Sequence, residues 1–326
     1  MKKILITGGA GFIGRYFVNL LQDADLRILD LKKPDFDTRA TFIQGDVRNI
    51  KDVQKAMAGV DTVIHLAAMH HDFGIADDAY FDTNVNGAKI IADEAHLQGV
   101  CRIINFSSVA VYGNAGNPGP TTEETSPNPQ NAYGKSKWEA EQIFEKWATR
   151  QTGRKLVTVR STVVFGPFNL ANVLSLIRII HQGLYIQIGP GNNIKSLAYV
   201  ENIVEAALFA LENACDSICL MNYADEPHLT SSQIAQMQAK MLAKNIRFSL
   251  PLPLGILLAR PFDLAIFLSG KNLSISSKRV KKLQTQTWHS AVKIKQMGFV
   301  PRVSIQEGMQ KMIQWYLKSQ PEKNSK

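Results

Sequence analysis

The first half of the chain alternates short apolar runs with longer amphipathic stretches. Strands are expected at 3–7, 26–30, 41–44, 61–66, 101–106 and 155–160, and helices at 12–22, 50–58, 78–98, 131–150 and 172–182. This rhythm predicts an α/β fold, a doubly wound parallel sheet covered by helices on both faces. Segment 113–130 contains Gly113, Pro118, Gly119, Pro120, Pro127 and Pro129, and reads as a loop long enough to carry function. Beyond residue 166 the pattern changes. Helices near 200–213, 230–243, 274–284 and 305–318 are separated by short strands and proline-containing turns. The expected division is a sheet domain over 1–166, to which some later segments return, a smaller α/β lobe over 167–318, and a frayed tail over 319–326.

The densest signal lies at the first strand-to-helix junction. The apolar run Ile4-Leu5-Ile6 leads into Thr7-Gly8-Gly9-Ala10-Gly11-Phe12-Ile13-Gly14. Glycines at 8, 11 and 14 suit a tight turn, a close approach of backbone to a pyrophosphate, and close helix–strand packing. The following helix N-terminus offers free N–H groups and the positive end of its dipole to phosphates. Asp30 closes the next strand, Leu26-Arg27-Ile28-Leu29, where a carboxylate accepts the ribose hydroxyls of NAD and repels a 2′-phosphate. Lys32 and Lys33 follow closely and leave NADP open. Gly45-Asp46-Val47 ends the third strand, where Asp46 suits the adenine amino group. His65-Leu66-Ala67-Ala68 ends the fourth, where small residues let the backbone run under a cofactor. His65 reads as a packed or hydrogen-bonded core residue.

Ser107-Ser108-Val109-Ala110-Val111-Tyr112-Gly113 follows the apolar run Ile103-Ile104-Asn105-Phe106. That is the C-terminal strand end at which a doubly wound sheet binds its ligands. Tyr133-Gly134-Lys135-Ser136-Lys137 lies on an expected helix, so Tyr133 and Lys137 share a face. A phenol with a pKa of about 10 is a poor base at neutrality, but a cation one turn away favours the phenolate. The pair can then exchange a proton with a substrate hydroxyl, and Ser108 can hydrogen-bond the same oxygen.

The net charge of +9 is uneven: from Lys240 onward only Asp263, Glu307 and Glu322 are acidic. The cluster Lys278-Arg279-Val280-Lys281-Lys282 is read as a solvated helix face, a phosphate-binding rim or a contact for an anionic membrane surface. No recognition motif or aromatic platform accompanies it, so nucleic acid is not an expected partner. Segment 250–268 is apolar but carries Pro251, Pro253, Arg260, Pro261 and Asp263, which are costly in a spanning helix. The apolar run after Met1-Lys2-Lys3 is too short for a signal peptide. Three cysteines, at 101, 215 and 219, suggest a reducing, cytoplasmic compartment rather than disulfides, and Cys215 and Cys219 are expected as buried thiols rather than a metal pair. His70-His71-Asp72 lacks the partners a metal site needs, so no metal is expected.

The glycine loop, Asp30, Gly45-Asp46-Val47, His65 to Ala68, Asn84-Val85-Asn86-Gly87, Ser107 to Gly113, Tyr133/Lys137, Arg160, Phe165-Gly166-Pro167, Gly189-Pro190-Gly191 and Tyr199-Val200-Glu201-Asn202 occur in this order. In them the chain resembles the extended short-chain dehydrogenase/reductase family, NAD-dependent epimerase/dehydratase branch. The resemblance implies a Rossmann domain with bound NAD, catalytic Ser108, Tyr133 and Lys137, and a C-terminal substrate-binding lobe. It also implies a homodimer formed through the helices at 78–98 and 131–150. Cofactor contacts are expected at Gly8, Gly11, Phe12, Ile13, Gly14, Asp30, Asp46, Val47, Leu66, Ala67, Ala68, Asn84, Ser107, Tyr133, Lys137 and Val163. Substrate contacts are expected at Ser108, Tyr133, Asn172, Val173 and Lys195.

Members of this branch share a hydride step and differ in the fate of the oxidised sugar. Val109-Ala110 after Ser108 argues against a 4,6-dehydratase, which usually places Asp-Glu there. Val163 stands where galactose-type epimerases often carry Asn. Ala171-Asn172-Val173 resembles the segment that meets the diphosphate of nucleotide sugars, and Lys195 stands where an Arg often binds phosphate. The leading expectation is a UDP-sugar 4-epimerase. A 4-keto nucleotide-sugar reductase, a hydroxysteroid dehydrogenase and a non-catalytic NAD-sensing scaffold are the alternatives.

Overall fold

The structure, a computed structural model, describes residues 2–70, 75–113, 119–269, 276–277, 280–281 and 284–320. It divides into two compact units. The first comprises Met1–Thr162, Val200–Ala224 and His289–Arg302; the second comprises Val163–Tyr199, Asp225–Trp288 and Val303–Lys326.

Seven strands form the sheet of the first unit: β1 (Lys3–Thr7), β2 (Asp25–Asp30), β3 (Thr41–Gln44), β4 (Thr62–His65), β5 (Arg102–Ser108), β6 (Lys155–Ser161) and Ile218–Tyr223. Across the sheet they run Ile218–Tyr223, β6, β5, β4, β1, β2, β3, and every neighbouring pair is parallel. The chain steps outward from β1 to β3, then crosses back to β4 and builds the other way. The crevice at this reversal is where a doubly wound sheet takes its ligand. Both faces of the sheet are covered. Leu5 and Ile6 in β1, and Ile103 and Ile104 in β5, are neighbours in sequence and completely buried, although successive side chains of a strand point to opposite faces.

The seventh strand and the helix Val200–Asn213 come from beyond residue 166 and return to this unit, with Cys219 in register with Val157 of β6. Helices α1 (Phe12–Leu20), α2 (Ile50–Met57) and α5 (Ala132–Thr149) occupy the expected positions. The helix expected over 78–98 is a composite of α3 (Asp77–Tyr80), a π-helical stretch Phe81–Asn86 and α4 (Gly87–Leu97).

Among its described residues the second unit holds three two-stranded pairs. Val163–Phe165 runs parallel to Leu197–Tyr199, Ile186–Ile188 parallel to Phe248–Leu250, and Ile194–Lys195 antiparallel to Leu229–Thr230. Its helices are Asn172–His181, Ser231–Met241, Leu252–Ser269 and Ile305–Lys318. Two begin at capping boxes, Thr230 with Gln233 and Ser304 with Glu307, in which each side chain satisfies a backbone N–H that the helix leaves unpaired. Most of the helix expected at 274–284, and the tail from 321 on, lie outside the described residues. Among the described residues no helix is long and apolar enough to cross a membrane.

Candidate active site

The glycine loop joins β1 to α1, and its three glycines answer different demands. Gly8 has φ +67°, and a Cβ there would lie 2.7 Å from the backbone nitrogen of Ala67. It is needed both for its left-handed backbone and for the approach of β1 to the chain leaving β4. A Cβ on Gly14 would stand 2.4 Å from the carbonyl oxygen of Gly9, so this glycine brings α1 down onto the loop. Gly11 is the N-cap of α1 and supplies no side-chain hydrogen bond. The first-turn N–H groups, including those of Phe12 and Ile13, therefore point out of an uncapped helix end that suits a phosphate. The Asp30 carboxylate, at the end of β2, accepts from the N–H of Ala10 at 3.1 Å and that of Lys32 at 3.2 Å. It is thus fixed against the glycine loop. A tight left-handed turn, an uncapped helix N-terminus and a carboxylate on the adjacent strand fit a dinucleotide.

The neighbouring strand ends complete the floor of this crevice. Leaving β4, the N–H of Leu66 donates to the Thr7 carbonyl at 3.0 Å, and that of Ala67 reaches the Thr7 hydroxyl at 3.4 Å. Ala68 follows, and its carbonyl lies 3.3 Å from His70 Nδ1. His65 is buried, with Nδ1 2.8 Å from the Thr7 hydroxyl and its ring 5.2 Å from that of Phe144. Burial, reinforced by the charge of Lys137, pushes its pKa down to about 3, so it is neutral at any ordinary pH. His71 and Asp72 lie outside the described residues. No cluster of three or more His, Cys, Asp or Glu side chains that could hold a metal occurs among the described residues.

The Asp46 carboxylate sits in the fork of Arg48, which also reaches Asp82 at 2.6 Å. The hydrogen bond from Arg48 holds the Asp46 carboxyl below its usual range. Val47 is buried in the core, so only its backbone is available to a ligand. Asn84, on the π-helical stretch, directs its amide inward. It accepts from the N–H of Met69 at 2.7 Å, and donates to the Met69 carbonyl at 3.0 Å and to the Ser136 hydroxyl at 2.9 Å. Asn84 therefore holds the segment after β4 against α5.

Ser108 ends β5. Its hydroxyl oxygen accepts from the N–H of Ala110 at 3.2 Å and caps the short 3-10 turn Val109–Tyr112, which leaves the hydroxyl proton to donate. Helix α5 starts under an Asn131 cap, whose side chain accepts from the N–H of Gly134 at 2.8 Å. A Cβ on Gly134 would lie 2.5 Å from the Ala110 carbonyl oxygen. The glycine between Tyr133 and Lys135 thus lets the first turn of α5 press against the turn that Ser108 begins. Tyr133 is half-buried, with its ring 6.1 Å from that of Tyr80. Lys137 is buried at 3% exposure. Desolvation brings its pKa down to about 8, against the charge of Glu141, which raises it.

Glu141 acts on the charge of Lys137 and was not singled out in the sequence. It stands one turn beyond Lys137, is 5% exposed, and takes Arg160 Nη2 at 2.7 Å and Nε at 3.1 Å. The Ser107 hydroxyl also donates to Glu141, so the Ser107 side chain is committed inside the protein. The Arg160 guanidinium lies 4.6 Å over the Tyr112 ring, and the Tyr112 hydroxyl donates to the Asn222 side chain at 2.7 Å.

The other expected contacts belong to the second unit. Val163 opens its strand and is 42% exposed. Asn172 and Val173 open the helix Asn172–His181; Asn172 is exposed, whereas the Val173 side chain is buried. Lys195 Nζ donates to the Thr285 carbonyl at 2.6 Å.

The profile of the NAD dependent epimerase/dehydratase family matches residues 4–218. The chain belongs to this family. It is accordingly an enzyme, with NAD as its cofactor. It is 38% identical, over 96% of its length and 95% of the relative's, to an N-acetyl-alpha-D-glucosaminyl-diphospho-ditrans,octacis-undecaprenol 4-epimerase from Escherichia coli. It is 27% identical, over 97% of its length and 96% of the relative's, to a UDP-glucose 4-epimerase from Vibrio cholerae. In fold it resembles a UDP-N-acetylglucosamine 4-epimerase from Methanobrevibacter ruminantium solved with UDP-N-acetylmuramic acid. That likeness has a TM-score of 0.78 at 21% identity, over 98% of this chain and 99% of the other.

Proposed function

We propose that this protein is a 4-epimerase of a diphosphate-linked N-acetylhexosamine, with a polyprenol as the substrate's other half. The observation that carries this reading is the 38% identity along almost the whole chain to an undecaprenol-linked 4-epimerase. It is joined to the placement of Tyr133 four residues before a buried Lys137 on α5. UDP-sugars are the second reading, favoured by the Vibrio cholerae relative.

NAD, when bound, would supply the hydride chemistry at C4. The protein manages the proton and the pose. Lys137 is cationic below its pKa of about 8 and stabilises the phenolate of Tyr133. Tyr133 removes the proton of the 4-hydroxyl, Ser108 donates to the same oxygen, and the resulting 4-keto sugar rotates. Tyr133 then gives the proton back on the other face. The glycine loop and the uncapped start of α1 hold the cofactor's diphosphate, with Asp30 on its ribose. Asp46, the backbone of Val47, Leu66, Ala67 and Ala68, and Val163 complete the cofactor contacts. Asn84 and Ser107 act by positioning. Asn172, the backbone of Val173 and Lys195 hold the substrate's diphosphate. All three cysteines are free thiols, and of the pair expected to be buried only Cys219 is, Cys215 lying exposed on the surface; free thiols fit a cytoplasmic protein, and we read it as a homodimer formed through α4 and α5.

The test is interconversion of N-acetylglucosaminyl-diphospho-undecaprenol and its galacto epimer in detergent, with no dinucleotide added. Turnover is expected, and Tyr133→Phe is expected to abolish it while NAD stays bound. Strict dependence on added NADH or NADPH points to a ketoreductase and refutes the proposal. Turnover of UDP-N-acetylglucosamine alone transfers the reading to nucleotide sugars.

A further inference from the structure

Over residues 254–262 the helix Leu252–Ser269 is packed inside out. Gly255 and Ala259, one turn apart, face the protein and are buried, whereas Leu254, Leu257, Leu258 and Phe262 are 41, 55, 54 and 39% exposed. These four fall at i, i+3, i+4 and i+8, which is one face of a helix. The inner face is small because the helix lies close on the strand Ile186–Ile188. A Cβ on Gly255 would meet Ile188 Cγ2 at 2.5 Å. Ile186 shares that face of its strand with Ile188 and is paired in register with Phe248. Phe248 is 65% exposed and Ile186 44%. The strand pair therefore continues the apolar surface of the helix.

Two cations lie beside this surface. Arg247 immediately precedes Phe248, and Arg260 lies within the outward face; both are exposed. Asp263 is the one acid between Lys240 and Glu307 in the sequence, and its carboxylate accepts from the N–H of Ser277 at 2.9 Å. An exposed apolar stripe set among cations matches an anionic lipid surface, in which the apolar side chains enter below the headgroups and the cations meet the phosphates. The helix has 18 residues, with Arg260, Pro261 and Asp263 inside it. It is therefore built to lie in the interface rather than to span.

We propose that the outward face of Leu252–Ser269, continued by Ile186 and Phe248, docks the protein on an anionic phospholipid bilayer. The proposal rests on the polyprenol reading in one respect: a substrate with that tail resides in a bilayer, which makes docking useful.

The test uses the full-length, NAD-loaded protein in co-sedimentation with vesicles of phosphatidylglycerol and phosphatidylcholine, and with vesicles of phosphatidylcholine alone. The protein is expected to sediment with the anionic vesicles and to be released by 0.5 M salt only in part. The double substitution Leu257→Glu, Leu258→Glu should weaken partitioning by about tenfold or more, since each buried leucine contributes on the scale that one decade represents. The unchanged thermal midpoint of the variant, and its unchanged turnover in detergent, check that it folds. Arg247→Glu should weaken binding to anionic vesicles only. Failure to sediment with anionic vesicles, or sedimentation unaffected by the double substitution, overturns the proposal. So does a wild-type oligomer that the double substitution dissociates, because the face would then be a subunit interface. Turnover of the polyprenol substrate without vesicle binding defeats docking and leaves the reaction standing. Vesicle binding with turnover of UDP-sugars alone does the reverse.

Discussion

Replacing Lys137 with methionine should stabilise the protein while abolishing turnover. The lysine is 3% exposed, and burial brings its pKa from 10.5 down to about 8 even with Glu141 one turn away. That fall corresponds to about 3 kcal/mol, the excess cost of keeping the charged form folded. The direction with pH comes from proton counting. Below pH 8 both folded and unfolded chains hold the proton, and the whole penalty is present. Between pH 8 and 10.5 the unfolded chain retains a proton that the folded one has released, so the stability of the parent rises with pH across that window. Methionine keeps the apolar stem and removes the charge. The variant should therefore exceed the parent by up to about 3 kcal/mol at pH 7, or roughly 6–12 °C in midpoint for a unit of this size. The difference should close by about pH 10.5. The assay is thermal or urea unfolding of both proteins between pH 6.5 and 10.5. Bound dinucleotide is removed first, because a ligand held only by the folded state raises the midpoint. A variant less stable than the parent at pH 7, or a difference that does not change with pH, refutes the reasoning.

Other substitutions probe the rest of the site. Gly8→Ala forces a Cβ to within 2.7 Å of Ala67 N at φ +67°. NAD affinity should fall by about tenfold or more in a fluorescence titration, and unchanged affinity refutes the assigned role of the loop. Glu141→Gln leaves the Arg160 charge buried without its counterion, which should cost about 3–5 kcal/mol in urea unfolding. The double substitution Glu141→Gln, Arg160→Met should recover part of that loss, and an additive loss would show that the pair does not act as a unit.

The parts of this fold that were legible in the sequence are those whose signal is local. A glycine loop, the strand before it and the helix after it are written in the one stretch from Lys3 to Leu20, because turn geometry and strand burial both act over that span. Strand Ile218–Tyr223 is equally apolar, but its place beside β6 depends on a pairing across sixty residues, which periodicity does not encode. The spacing of residues over 78–98 does not mark Phe81–Asn86 as π-helical. Only the structure shows that its widened turns carry Asn84 to Met69 and Ser136. Asp46 was visible as a carboxylate at a strand end. Its engagement by Arg48 two residues later was not, since a neighbouring arginine reads equally well as solvated.

Glu141 shows why the catalytic helix could be read only in part. Charged residues on amphipathic helices are usually exposed, and nothing within a turn of Glu141 says otherwise. Its partner, Arg160, arrives on β6 after the chain has completed α5 and returned to the sheet. Once the two meet, α5 presents Tyr133, Lys137 and Glu141 at intervals of four residues: a phenol, a cation and an anion one turn apart. Each is supported by the next. In the mechanism proposed above Lys137 favours the phenolate, while Glu141 offsets part of the desolvation of Lys137 and pairs with Arg160. The phenol, which changes its protonation in the proposed mechanism, stands at the half-buried end of the row. Arg160 anchors the other end at 2% exposure. A buried ion pair is a poor way to gain stability, but here it fixes the charge that a buried lysine needs to stay protonated near neutrality. On the proposed mechanism, the stability expected to return on removal of Lys137 is the cost of holding a base ready to act.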